Sequence, residues 1–347
     1  MRRPMLLTAL LGLLLPIAFF AQSASAQASP NGHGPLDEAH KRLFWDTAED
    51  KAPELLLASR KELQGRHYLT GDERNLHKFH DTIKGIGGAY MGVGTDQAYL
   101  FADWMKAELV WLTDYDPWVR HLHWAYVGFF KEADSREAFL GLWEKQHLKK
   151  ATSLLKIIYA EHPDRDHIIR VFKIARPKVV RRFKRLKATL PKAGIPSFVT
   201  DDASYAFIRK LVMADRVRPM LCNLIGEQAM KGLGDASRAL GVPIRVLYVS
   251  NAEEYWPFKK VYRENIKALN FAEDGWLLRT VASMKSNGDY RYNAHLGRNF
   301  QEWLDQPWVK RVRDVVPWTR LKEDEIPLTI TRTTPPPPAE RKKRRRR

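Results

Sequence analysis

The stretch Gly88-Ala89-Tyr90-Met91-Gly92-Val93-Gly94-Thr95-Asp96-Gln97, followed by Leu112-Thr113-Asp114-Tyr115-Asp116-Pro117, decides how this chain reads. Residues 89–93 form a short apolar run next to glycine, which predicts a buried strand. Gly92 and Gly94 end it, and a helical stretch follows to about Lys106. Residues 108–113 read as a second apolar strand, ending at Asp114. Pro117 suits the first turn of another helix, running to about Lys131. Strand, glycine turn, helix, strand and acid thus follow in order, with Asp114 twenty residues beyond Gly94. Glycines there let backbone N–H groups approach a ligand at a helix N-terminus, and the carboxylate can accept hydrogen bonds from both hydroxyls of a ribose. The same residues also suit a plain strand-to-helix turn, with glycine for steric reasons and Asp114 as a helix cap.

Working outward, the alternation continues. Residues 205–212 read as a helix, and 219–225 as a strand ending at Gly226-Glu227. A helix to Leu240 follows, with Gly241 as its C-cap. Strands are expected at 244–249, 276–283 and 290–296, and helices at 259–269 and around 300–304. This pattern predicts an α/β fold with a mainly parallel sheet flanked by helices on both faces. Residues 135–200 interrupt it with a mostly helical, strongly basic insertion. Residues 36–63 show helical spacing, with Leu43, Phe44, Leu55, Leu56 and Leu57 as apolar contacts. The expected organisation is a signal segment (1–28), an N-terminal helical segment (29–67), the α/β domain (68–318) and a disordered tail (319–347).

In such sheets ligands gather at the C-terminal ends of the strands. Three polar clusters fall there: residues 92–97, 114–116, and Ser250-Asn251-Ala252-Glu253-Glu254-Tyr255. The third suits a ligand-facing loop; it also suits an Asn/Ser helix cap with glutamate in the first turn.

Composition narrows the classes. Of 347 residues, 44% are hydrophobic and 28% charged, with 11 Trp, 12 Tyr and 15 Phe, which excludes disorder throughout. The single cysteine, Cys222, excludes a disulfide framework, and its apolar neighbours predict a buried, inert thiol. Arg2 and Arg3, an apolar run at residues 5–20 and the small-residue sites Ala24-Ser25-Ala26 and Ala26-Gln27-Ala28 have the three parts of a secretory signal. The chain is therefore expected to be exported, to the periplasm or beyond; the alternative is a membrane anchor formed by an uncleaved signal.

The net charge of +18 is local rather than general. Residues 145–192 hold fifteen Lys/Arg against three acids, and the last eight residues hold seven basic residues and one acid. Val179, Val180, Phe183 and Leu186 share one helical face among these cations, so the helix could lie on anionic lipid or an acidic polymer, or simply cover the domain. The Pro-rich, polybasic tail has a disordered composition and suits attachment to acidic surfaces or a solubilising role. No nucleic-acid-binding motif is present.

The residues from Gly88 to Tyr99, with Leu112 to Asp116, Val246 to Tyr255 and Tyr292-Asn293, resemble a family of uncharacterised bacterial proteins with a Rossmann-like domain of the S-adenosylmethionine (SAM) methyltransferase type. The resemblance spans roughly residues 68–304. It implies that Gly92, Gly94 and Asp96, in one loop with Gln97, line the methionine end of SAM. It further implies that Asp114 holds the ribose and Glu227 approaches the adenine. Ser250 and Asn251 would complete the cofactor site, and Glu253, Glu254 and Tyr255 would supply the substrate-facing chemistry. Two departures stand out. Thr95-Asp96 occupies the place where a third glycine is usual, and the fourth-strand loop lacks the Asn-Pro-Pro-aromatic motif of amino-group methylases.

Two functions follow as expectations. One is a SAM-dependent methyltransferase of unknown substrate, using a nucleotide-like small molecule. The other is a non-catalytic envelope protein that binds another ligand on the same scaffold. Hydrolase and metal chemistry are not expected. Gly-x-Ser-x-Gly and the His-Glu-x-x-His and His-x-x-Glu-His patterns are absent. His121 and His123 would point to different helix faces, and no carboxylate pattern completes a site at His77 and His80.

Overall fold

The computed structural model describes residues 32–57, 61–286, 288–316, 325 and 328–333. The expected signal segment and the polybasic end of the tail lie outside the described residues. In chain order the elements are α1 (Glu38–Trp45), α2 (His80–Ile83), β1 (Ala89–Gly92), α3 (Gln97–Met105), β2 (Leu109–Asp114) and α4 (Pro117–Glu132). The insertion supplies α5 (Arg136–Leu142), α6 (Leu148–Ile158) and α7 (Arg165–Thr189), and leads into α8 (Asp202–Met213). Then come β3 (Val217–Leu221), α9 (Ala229–Ala239), β4 (Ile244–Ser250), α10 (Lys260–Ala268), β5 (Phe271–Ser286) and β6 (Asp289–Leu296). The last are α11 (Gly297–Trp303), α12 (Val312–Val315) and β7 (Leu328–Thr331).

The seven strands form one sheet in the order β3-β2-β1-β4-β5-β6-β7. The first five run parallel, with Met91 of β1 level with Trp111 of β2 and Leu247 of β4. The chain therefore reverses its direction of travel across the sheet between β1 and β4. That is the Rossmann-like switch point, where a crevice opens beyond the strand ends. A dinucleotide-binding Rossmann sheet would continue with a parallel sixth strand. Here a tight hairpin makes β6 antiparallel to β5, and β7 pairs parallel to β6. Pro219 is tolerated in β3 because β3 is an edge strand and needs a partner on one side only.

Each parallel strand is apolar on both sides and feeds two cores. Tyr90, Val110, Leu112, Val246 and Tyr248 join one, which is built with α2 to α8. Met91, Trp111, Leu247 and Val249 join the other, built with α1, α9, α10, α11 and α12. All nine residues of α3 are buried. A helix of that kind must be covered all round, and α2, α8 and the end of the insertion provide the cover beside the sheet. The indole of Trp104 donates to the Pro196 carbonyl at 2.9 Å.

Ile168, Phe172, Ala175, Val179, Phe183 and Leu186 of α7 recur at three- to four-residue intervals and are buried in this core. For this stripe, covering the domain is the reading that the structure bears out. The apolar face of the basic helix is occupied by the protein's own interior and is not available to lipid. Pro177 lies on the opposite, exposed side, where the carbonyl it leaves unpaired can be hydrated.

Three boundaries also differ from expectation. Among the described residues, the N-terminal segment is α-helical only over α1, with a 3-10 turn at Lys61–Leu63. Phe44 and Leu56 are buried, whereas Leu43, Leu55 and Leu57 are exposed. The tail begins later than residue 319, since Leu328–Thr331 forms β7. The strand expected at 219–225 ends at Leu221, so Cys222 follows it and is buried as expected.

Close approach of α9 to the end of α10 requires Gly234, where an added Cβ would lie 2.1 Å from the Ala268 carbonyl oxygen. Gly234→Ala is expected to cost about 1–3 kcal/mol through overpacking. A lowered midpoint in chemical denaturation, at unchanged slope, would show this.

Candidate functional site

The crevice beyond β1, β2 and β4 is a cavity of about 910 Å³. Its walls come from the glycine loop, from residues 114–116, 223–225 and 250–256, and from two segments that precede β1. One of these holds Leu56, Leu57 and Tyr68; the other is the loop Thr70-Gly71-Asp72-Glu73.

The glycine loop is held from beneath. Gly94 has φ +94°, and a Cβ there would fall 1.9 Å from Nε2 of Gln97. Its N–H donates to Oδ2 of Asp114 at 2.9 Å. Its carbonyl accepts from Nε2 of the buried His123 at 2.8 Å, and His123 Nδ1 lies 3.0 Å from the Tyr99 hydroxyl. Burial lowers the His123 pKa to about 4. The ring is therefore neutral near pH 7, with its proton on Nε2 and Nδ1 accepting from Tyr99. The side chain of Gln97 accepts from the Thr95 N–H at 3.2 Å.

Asp114 ends β2 as expected and lines the cavity, half-buried. Besides Gly94, it accepts from the Asp116 N–H at 3.0 Å. Burial raises its pKa to about 7, opposed by these backbone hydrogen bonds. Both oxygens keep further lone pairs, so a ligand offering two hydroxyls can complete the shell that water supplies poorly here. Asp116 is committed elsewhere. It caps α4 through the Trp118 N–H and meets Nδ1 of His67, whose ring stacks on Trp118 at 3.9 Å.

Ser250 ends β4 with φ +48°, in the left-handed region, where a residue other than glycine is strained. Among the described residues, the other two non-glycine residues with positive φ, Lys106 and Asp215, lie just past α3 and α8. Ser250 is instead held by donating to Oε1 of Glu73 at 2.7 Å, next to the Tyr248 hydroxyl at 2.8 Å. Glu73 is buried and lines the cavity.

The structure brings Gly94, Gln97, Asp114, Ser250, Asn251, Glu253, Glu254 and Tyr255 to one cavity. Three expected site residues are not there. Gly92 is buried under Tyr90, whose hydroxyl oxygen a Cβ would meet at 2.2 Å, so this glycine serves packing. Asp96 is fully buried in an ion pair with Nε of Arg182 at 2.6 Å. Glu227 is exposed, and Asn223, Leu224 and Ile225 line the wall where it was expected.

The two glutamates of the third cluster are structural. Glu253 pairs with Arg279 (Nε to Oε2, 2.5 Å) and accepts from the Tyr262 hydroxyl, with all three side chains buried. Glu254 spends both oxygens on the N–H groups of Ala282 and Ser283, at 2.6 and 2.8 Å. Neither suits the role of a free base. Burial raises the pKa of Tyr255, so it remains a protonated hydroxyl near pH 7.

A family model described as a domain of unknown function, DUF7790, matches residues 68–330, well over half of the chain. The chain belongs to the DUF7790 family. Among curated proteins none matches it.

Several residues that build the cleft of this DUF7790 member carry no mark in the sequence. Arg182 sits in the basic insertion and looks like one more surface cation, yet its Nη1 also donates to the Glu73 carbonyl at 3.0 Å. Arg185 donates to the Gly71 carbonyl at 2.7 Å, and Gly71 N–H to Oδ1 of Asp96 at 3.1 Å. The insertion thus ties the 70–73 loop to the glycine loop. Asp50 accepts from Asn223 N–H at 2.9 Å and from Gln228 and Ala229 N–H at 3.2 and 3.3 Å, filling the N-terminus of α9. Glu73 and Asp50 lie outside any strand end, so no local signal marks them. His123 carries a faint one, as a histidine in an otherwise apolar helix stretch.

Two outcomes are expected. Arg182→Met leaves Asp96 buried without its partner and should cost about 3–5 kcal/mol, part of which Asp96→Asn in the same chain restores; denaturant titration of the single and double variants checks this. The native state binds a proton at Asp114 up to about pH 7, whereas the unfolded chain releases it in the ordinary carboxylate range. This group therefore lowers stability as pH rises between those values. Asp114→Asn removes that dependence, so its melting temperature relative to the parent should climb between pH 5 and pH 8.

Proposed function

We propose that the cleft binds a ribose-bearing cofactor of the S-adenosylmethionine class and that the protein is a methyltransferase. The supporting observation is Asp114. Its carboxylate stands at the end of β2, bonded to Gly94 N–H and half-open to a cavity whose size suits a small-molecule ligand. The surrounding residues fit such a group. Asp114 would take the ribose hydroxyls, Leu224 and Ile225 would flank the base with Asn223 beside its edge, and Gly94 leaves room for close approach at the other end. The bound group would supply an electrophilic methyl on a cationic sulfonium.

The rest of the cleft supports positioning rather than proton transfer. Glu253 and Glu254 hold the 252–255 loop against β5, and Ser250 is fixed by Glu73. Tyr255 remains to orient an acceptor by donating a hydrogen bond, and its ring can face a cation. Methyl transfer to a nucleophile that is already unprotonated needs no more than this alignment. The same engagement of both glutamates also favours a second reading, ligand binding without chemistry. Incubation with labelled SAM and a mixed pool of acceptors separates the two by whether label is transferred.

Calorimetry with SAM and S-adenosylhomocysteine is the first test. Binding is expected, and Asp114→Ala should weaken it at least tenfold. Because hydroxyl donors favour the ionised carboxylate, affinity should rise from pH 6 to pH 8, by at most about tenfold per pH unit below the Asp114 pKa. Absence of binding to either compound by the folded parent protein overturns the proposal.

A further inference from the structure

The outward face of α7 carries cations that nothing in the fold uses. Lys173, Lys178, Arg181, Lys184 and Lys187 are exposed, on the side opposite the buried row. None of the five makes an ion pair or a side-chain hydrogen bond among the described residues, in contrast to Arg182 and Arg185 on the same helix. No acidic residue occurs between Asp166 and Asp201, and the acids near the start of α7, Asp164 and Asp166, pair with Arg120 and Arg165. The row is about 21 Å long at 1.5 Å per residue.

We infer that this face docks on an anionic phospholipid surface. It is a convex row of cations spread across the solvent side of one helix, which suits a plane of charges better than a groove. One isoleucine accompanies it: Ile174 is 45% exposed on the cationic side of α7. An interface rewards its burial, while the long cationic stems keep their charges at headgroup level. Single-stranded nucleic acid would call for exposed aromatic platforms, but the aromatic residues of α7, Phe172 and Phe183, are both buried. The inference is independent of what the cleft binds.

The test is sedimentation of the full chain with vesicles of phosphatidylcholine, with and without about one third phosphatidylglycerol, across a salt series. Preferential binding to the anionic vesicles, weakening with salt, is expected. The variant K173Q/K178Q/R181Q/K184Q/K187Q should reduce that partition at least tenfold with an unchanged melting temperature, because the five side chains are exposed. Ile174→Ser, which removes apolar surface without changing the charge, should weaken vesicle binding and leave retention on heparin nearly unchanged. A second variant, with the Lys/Arg of residues 341–347 replaced by Gln, isolates the tail. The proposal is overturned if the five-site variant partitions like the parent, if the tail variant alone abolishes binding, or if duplex DNA competes the parent off the vesicles at equal charge concentration.

Discussion

The ion pair between Asp96 and Arg182 is the contact on which the cleft depends. A carboxylate and a guanidinium, both removed from water, tolerate burial only while they remain together. Asp96 belongs to the glycine loop and Arg182 to a helix of the insertion, and Asp96 also accepts from the backbone of Gly71. Three segments far apart in the chain are thereby bound to one point. The basic insertion is for this reason part of the site's foundation, with one face turned inward to the cleft and the other outward to solvent.

Around that point the loop is braced by groups that have little freedom to change state. His123 is buried and neutral, and fixes the Gly94 carbonyl from below. Asp114 fixes the Gly94 N–H from the neighbouring strand. Ser250 holds a strained backbone because Glu73 accepts from its hydroxyl. A cleft assembled this way is preorganised. Its polar groups are already held in place by the fold, so little ordering would be left for the binding of a ligand to supply. Asp114 is the exception, since its protonation is balanced near neutrality.

Much of the fold was legible in the sequence because period and punctuation are local. Apolar runs of strand length, separated by helical spacing and glycine, mark β1, β2 and β4 and the direction of the sheet. The spacing from Gly94 to Asp114 marks two groups that do meet. Long-range relations were not legible. Gly92 and Gly94 look alike in sequence, yet one packs against Tyr90 and the other faces the cavity. Asp96 reads as a ligand-facing acid because nothing near it announces Arg182, eighty-six residues away. Glu253 and Glu254 read as candidate bases for the same reason, since Arg279 and the backbone of β5 are distant in sequence. The apolar stripe of α7 was recognised correctly as a stripe; what covers it is a tertiary fact.

Asp50 shows that the unit that folds is larger than the unit that can be recognised. Its carboxylate fills the N-terminus of α9 from a segment that precedes the family match at residue 68. In the same segment the carbonyls of Phe44 and Thr47 accept from Arg218 on the edge strand β3, at 3.0 and 2.6 Å. A fragment trimmed to the recognisable domain would expose bare N–H groups at α9, a buried arginine without acceptors and an open sheet edge, three openings to self-association. The N-terminal segment is thus a structural part of the domain it precedes, and an expressed fragment of this chain should begin ahead of it.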